Sequence, residues 1–249
     1  MKITFLGTAA GLPRKGQSTS STMIEVGGKY YIFDTGAPVV NKLLDMDKTV
    51  EDIKAVFITH CHGDHLFGII DLIRCVNIEK IFPTANISYY LPEQNVIDAI
   101  ERYYSATSGT IRKEVNKLNA YSEGLIYCDE NIKVTAIPTA HMKVLSRPSY
   151  AFSVECDGKR ILFTGDLSQN LEYDDFPSVA FCEPHAAVIC EGAHFDYDTL
   201  KPCIEKCKTD RVFFNHIKLP NIPIVEAEND SGNYSFPLIL VSDGDSFEI

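Results

Sequence analysis

A run of seven residues, Thr59-His60-Cys61-His62-Gly63-Asp64-His65, constrains this chain more than any other. It follows directly on Ala55-Val56-Phe57-Ile58, a short apolar stretch that reads as a buried strand. Three of the chain's seven histidines fall here, with an aspartate between them. Alternate side chains of an extended backbone point the same way, which sends His60 and His62 together. Asp64 and His65 follow on a turn that Gly63 allows to be tight. Imidazole nitrogen with carboxylate oxygen is a donor set for zinc, and also for manganese or iron. Loops at strand ends are where a rigid scaffold presents such groups. The chain is therefore expected to bind metal at the edge of a sheet.

A second metal needs further ligands at other strand ends, and three candidates share that placement. His141 closes Thr139-Ala140-His141 after the apolar stretch 134–138. Asp166 ends Ile161-Leu162-Phe163-Thr164-Gly165-Asp166, and His216 ends Val212-Phe213-Phe214-Asn215-His216.

The rest of the pattern is read around these points. Strands are predicted over 2–6, 22–26 and 29–34, the last two joined as a hairpin through Gly27-Gly28. Helices are predicted over 39–45 and 66–74, and a short strand over 80–83. Residues 88–117 read as mostly helical, broken near Ser108-Gly109, with Tyr89, Tyr90, Tyr103 and Tyr104 as either core packing or an aromatic wall for a base. Strands follow over 132–138, 149–155 and 160–163, with Cys156-Asp157-Gly158-Lys159 as a hairpin turn. A strand over 187–190, a helix over 199–207, a strand over 211–214 and two short terminal strands around Asp243-Gly244 complete the chain. Hairpins require antiparallel pairs, so a layered α/β sandwich fits better than a doubly wound parallel sheet. Each half runs hairpin, strand, helix, strand, and one domain over 1–249 is expected.

Composition narrows the partners. The net charge of −11 makes the chain a poor general binder of a polyanion, whose phosphates need Lys and Arg. Apolar residues at 45% and charged residues at 23% exclude a disordered chain. No apolar run is long enough for a signal peptide or a membrane span. The eight cysteines form no C-x-x-C pair, which points to reduced thiols and a cytoplasmic location. Cys203 and Cys207 share a helix face but lack two further ligands.

The motif T-H-x-H-x-D-H, the later His141, the pair Gly165-Asp166 and the last His216 resemble, in order, the ligand set of the metallo-β-lactamase-fold hydrolases. The likeness covers essentially the whole chain. It implies an αββα four-layer sandwich, with one metal on His60, His62 and His141, the other on Asp64, His65 and His216, and Asp166 bridging. Within that superfamily the chain is most similar to the RNase Z group and related phosphodiesterases. The segments Ile3-Thr4-Phe5-Leu6-Gly7-Thr8, Phe33-Asp34-Thr35-Gly36 and His62-Gly63-Asp64-His65-Leu66-Phe67-Gly68 carry that likeness. Asp34 is expected to orient the ligand loop rather than to catalyse. The resemblance also implies a homodimer.

The departures matter for substrate. RNase Z enzymes insert a long tRNA-gripping arm between the ligands matching His141 and Asp166, where this chain has room only for a hairpin. Their His-Glu-Ala-Thr segment stands here as Cys190-Glu191-Gly192-Ala193, and their final His-Ile-Ser-Ser-Arg as His216-Ile217-Lys218-Leu219. Both changes favour a small anionic phosphodiester over tRNA. Two divalent ions, zinc first and manganese or iron next, would activate water beside Asp64 and attract an anion. His194 is the first candidate to protonate the leaving oxygen and Glu191 the second. Lys143, Arg147 and Lys218 follow ligand positions and are candidates to hold a phosphate oxygen. The alternatives are a lactonase or thioesterase on the same site, an RNase Z-type tRNA 3′-end endonuclease, and a non-catalytic metal-binding protein. Redox chemistry at iron is disfavoured, because diiron members carry Glu where His62 stands and lack the ligand matching His65.

Overall fold

The N-terminal half opens with β1 (Lys2–Gly7), β2 (Ser21–Val26) and β3 (Lys29–Phe33), paired antiparallel in sequence order. Gly27 and Gly28 both take positive φ between β2 and β3, the backbone that a two-residue hairpin turn requires. The chain then rises through α1 (Val39–Leu44) to β4 (Ile53–Phe57), α2 (Gly63–Leu66), α3 (Ile69–Asn77), β5 (Ile87–Leu91), α4 (Gln94–Thr107) and β6 (Asn116–Ala120). β3 to β6 pair in parallel. This computed structural model describes residues 1–249.

The second half repeats the plan. β7 (Gly124–Cys128), β8 (Ile132–Pro138), β9 (Tyr150–Cys156) and β10 (Lys159–Phe163) pair antiparallel in succession. Then α5 (Val179–Cys182), β11 (Ala187–Gly192), α6 (Tyr197–Ile204), β12 (Val212–Ile217), α7 (Ile222–Asp230) and β13 (Leu238–Leu240) extend the sheet in parallel. β14 (Ser246–Glu248) crosses back to β1. The result is two seven-stranded mixed sheets, ordered β14-β1-β2-β3-β4-β5-β6 and β13-β12-β11-β10-β9-β8-β7.

Side-chain alternation explains why the sheets stack. In β3, Tyr31 and Phe33 join the central core while Tyr30 and Ile32 join the cluster under α1 and α3. In β12, Phe213 faces the centre while Val212 and Phe214 face the cluster under α6 and α7. Three cores therefore separate four layers: helices, sheet, sheet, helices. The seam between the sheets is aromatic, with Phe33 stacked 4.2 Å from Phe163 and 5.1 Å from Phe57. Burying each such ring contributes about 1.5–3 kcal/mol.

Several expectations are corrected. Residues 80–83 are turn, not strand, and Ile81 is exposed. The strand lies instead at β5, so Tyr89 and Tyr90 are not helical; Tyr89 is fully buried. Pro92 disfavours a helical residue before it and separates β5 from α4. The helix expected over 66–74 is divided at Phe67-Gly68, where the chain passes so close to Ala37 that a Cβ on Gly68 would overlap its carbonyl. β6 and β7 were not expected; they are edge strands whose residues, buried Asn116 apart, are exposed and half-buried in mixed order, so they lack the alternation of a half-buried strand. α7 was also unexpected, because only Val225 of its residues is buried and no apolar stripe marks it.

Candidate metal centre

β3, β4, β8, β10, β11 and β12 all release their chains at one edge of the sandwich, the edge where sheets of this kind build sites. The two sheets are tied together there. Tyr150 donates its N–H to Thr59 O at 3.0 Å, and His216 donates its N–H to Thr8 O at 3.2 Å. Every ligand predicted from the sequence reaches this edge.

His60, His62 and His141 converge. Nδ1 of His62 lies 3.1 Å from Nε2 of His60 and 3.1 Å from Nε2 of His141. The opposite ring nitrogens fix the tautomers. The single proton of the Thr59 hydroxyl goes to Asp34, so Thr59 Oγ1 accepts from His60 Nδ1 at 3.1 Å. His141 Nδ1 donates to Leu167 O at 3.1 Å. The Nε2 lone pairs of both rings therefore face His62. Lone pairs that close repel unless a cation lies among them, and ligands about 2.0–2.1 Å from a tetrahedral zinc would stand roughly 3.3 Å apart.

Asp64, His65 and His216 form the second group. Asp64 Oδ2 is 3.6 Å from His65 Nε2 and 3.8 Å from His216 Nε2. His65 Nδ1 donates to Asp34 Oδ2 at 2.8 Å, which leaves Nε2 buried with no hydrogen-bond partner. An orphaned buried nitrogen aimed at two carboxylates suits a metal ion. Asp166 reaches both groups: its oxygens lie 3.7 Å from His60 and 3.8 Å from His141, and 3.5 Å from His65 and 3.4 Å from His216. These clustered His/Asp sets are of the kind that dinuclear hydrolases of this fold carry.

Charge at the site follows from burial and proximity. Burial pushes His60, His62 and His216 below the ordinary histidine value. Burial acts the same way on His65, but Asp166 and Asp34 outweigh it and hold His65 well above. Burial would raise Asp166, yet His216, His65 and His60 hold it well below the carboxylate range. Asp166 thus stays anionic while His60, His62 and His216 stay neutral, donors ready for cations.

His194 stands at the rim, with Nε2 3.8 Å from Asp166 Oδ2. Its Nδ1 donates to both Glu191 oxygens at 3.0 Å. Burial lowers His194, but that hydrogen bond and the Glu191 charge prevail and raise it to about 9. Glu191 itself is buried and also accepts from the N–H groups of Leu167, Ala193 and His194. The expectation that Glu191 could protonate a leaving group is therefore corrected: it is an acceptor saturated by four donors, and it orients His194. Cys190 is wholly buried and packs into the core on the helix side, away from the centre.

The three basic candidates are engaged elsewhere. Arg147 makes a two-pronged pair with Glu93 at 2.7–3.0 Å. Lys218 pairs with Asp196 at 2.6 Å, and Lys143 lies over the Tyr173 ring. Two supports escaped the sequence reading. Asp175 accepts from Ala140 N–H and from Ser168, and so staples the His141 loop to the Asp166 loop. Asp243 accepts from Thr8, Ser18 and Lys42. Asp175 had no local signal, and Asp243 showed only as a turn residue.

Residues 1–203 match the family model described as "Anti-Pycsar protein Apyc1". The chain belongs to the Anti-Pycsar protein Apyc1 family. Ribonuclease Z of Brevibacillus brevis is 30% identical to this family member over 159 residues, covering 62% of this chain and 47% of the relative. The chain spans about half the length of such curated relatives. Human tRNase Z, short form, superposes with a TM-score of 0.74 at 21% identity, covering 100% of this chain and 99% of that one. The metallo-beta-lactamase fold protein YhfI from Bacillus subtilis gives 0.75 at 16% identity, covering 99% of each chain. These likenesses show the metallo-β-lactamase fold and a relationship to RNase Z.

Proposed function

We propose that the protein is a metal-dependent phosphodiesterase acting on a small nucleotide or a similar diester. His60, His62 and His141 would hold one divalent ion, and Asp64, His65 and His216 the other, with Asp166 between them; zinc is the first choice, then manganese or iron. Bound there, the ions would supply a nucleophile from water at neutral pH and countercharge for a phosphorus centre. The observation that carries the reading is the place of His194: Glu191 holds its Nδ1 at 3.0 Å and favours its protonated form, and Nε2 lies 3.8 Å from Asp166. A diester needs such a donor to protonate its alkoxide leaving group.

Long RNA fits less well. The chain carries a net charge of −11, and Arg147 and Lys218 are already paired with acids. We carry the family's anti-Pycsar description over to this chain as part of the same proposal. No helix is long and apolar enough to cross a membrane. All eight cysteines are free thiols, which suits a reducing compartment. A cytoplasmic homodimer, each subunit a single hydrolase domain over 1–249, completes the reading.

The test is metal content together with hydrolysis of bis-p-nitrophenyl phosphate, for the wild type and Asp166→Ala. We expect about two ions per chain, and a loss of about 100-fold or more in the variant. Two ions with no diester cleavage, but with turnover of a lactone or thioester, would transfer the site to acyl chemistry. A protein that takes up no metal would end the proposal.

A further inference from the structure

Asp243 stands in the turn between β13 and β14, yet its side chain is only 5% exposed and accepts four hydrogen bonds, two on each oxygen. Oδ1 takes the N–H and the hydroxyl of Thr8 at 3.0 and 2.9 Å. Oδ2 takes the N–H of Ser18 at 2.7 Å and the Lys42 ammonium at 2.8 Å. Thr8 and Ser18 are the two feet of the loop 8–18, which closes on itself where Ala9 donates its N–H to Ser18 O at 2.8 Å. One carboxylate therefore holds both feet, and buried donors of this kind keep a partner because leaving them unpaired is strongly unfavourable.

The loop reaches two ligands. Gly11, inside it, donates its N–H to Asp64 Oδ2 at 3.0 Å, the oxygen that faces His65 and His216. Thr8 O accepts the N–H of His216 at 3.2 Å, and Asn215 Oδ1 accepts the same N–H at 2.9 Å. His216 needs that hold: its φ of 53° lies in the left-handed region, which a residue with a Cβ keeps only where its surroundings fix it. Within the second ligand group Asp34 supports His65, while Asp64 and His216 hang from Asp243 through the loop. The first group is braced elsewhere, His60 through Thr59 to Asp34 and the His141 loop through Asp175.

We propose that Asp243 is a positioning residue for the second metal ion alone: by gripping loop 8–18 it sets Asp64 and His216, and without it that ion is held weakly while the first keeps its grip. The inference rests on the two-ion ligand assignment proposed above. Asparagine has the same shape but presents an NH2 group where two of the four donors point, so it cannot hold both feet of the loop. Loss of such a support weakens a metal site by about 10–100-fold.

The experiment is zinc titration of the metal-free protein against a chromophoric chelator, for the wild type, Asp243→Asn, His216→Ala and Val225→Ala. The wild type is expected to take up two ions. Asp243→Asn should keep one at wild-type affinity and bind the other about 10–100-fold more weakly, in the pattern of His216→Ala. Val225→Ala hollows the packing under α7 and is the destabilised control; it should keep both ions, with thermal unfolding placing its Tm beside that of Asp243→Asn. Thr8→Val, which removes one donor of the four, is the milder variant should Asp243→Asn fail to fold, and it should weaken the same ion alone. Equal weakening of both ions, two ions at wild-type affinity in Asp243→Asn (or in Thr8→Val, where that variant stands in), or the same selective loss in Val225→Ala overturns the proposal and leaves Asp243 a general brace of the fold. Uptake of no metal by the wild type overturns this proposal together with the ligand assignment beneath it, whereas two ions in the wild type with an unselective Asp243→Asn overturn this proposal alone.

Discussion

Oδ2 of Asp34, at the end of β3, stands 2.8 Å from Nδ1 of His65, which follows β4 by way of the ligand loop. The other oxygen of the same carboxylate accepts from the Thr59 N–H at 2.8 Å, and Thr59 in turn accepts from His60. One buried side chain thus sets the orientation of a ring in each ligand group, although it belongs to neither.

Asp34→Asn keeps the shape and removes the charge. Metal affinity or activity should fall by about 10–100-fold, the usual effect of losing such a support. Titration of the metal-loaded variant against a chelator measures the first, and steady-state hydrolysis the second. Wild-type retention of both ions would show that His60 and His65 hold their orientation without Asp34.

Glu191→Gln tests how the proton on His194 is kept. The folded chain holds this imidazole near 9, above an unfolded value of about 6.5. Its ion pair with Glu191 therefore stabilises the fold fully below about pH 6.5 and loses that contribution as the pH rises through 9. In the variant the alkaline limb of kcat/KM should move down from about 9 toward 6.5. A pH–rate profile with an unmoved limb would assign the proton donor to another group.

Gly36→Ala tests the packing beneath Asp64. A Cβ at Gly36 would overlap the Asp64 carbonyl oxygen and crowd the Thr19 hydroxyl. The ligand segment must shift, at a cost of about 1–3 kcal/mol. Thermal unfolding should show a lower Tm, and metal analysis fewer than two ions per chain. An unchanged Tm with full metal would mean that the loop yields freely at this point.

The sandwich and its convergent edge were legible because alternation, Gly-Gly and Asp-Gly turns and strand-end histidines are local signals. Val56 and Ile58 next to His60 can be read without knowing what lies across the sheet. Tyr89 was misread because Ser88 and Tyr90 obscure the burial of its neighbours Ile87 and Leu91, and only Pro92 argued against a helix there. The Glu191 role was hidden for a different reason. Whether a carboxylate donates or accepts depends on four partners, one of them at Leu167 on a separate strand end. The grip of Asp175 on Ala140 and Ser168 is likewise tertiary, since no spacing in the chain announces it.

The two halves of the chain repeat one plan but divide the ligands unequally. His60, His62, Asp64 and His65 come from the first half, and only His141, Asp166 and His216 from the second. Neither group of three is complete within the second half, and His60 with His62 lacks its third partner within the first. A bound ion would accordingly act as a clasp across the aromatic seam, joining stretches of chain that meet only when both sheets are in register. The same clasp would couple assembly to chemistry: a molecule with one half unfolded would own half of each tool and could cut nothing.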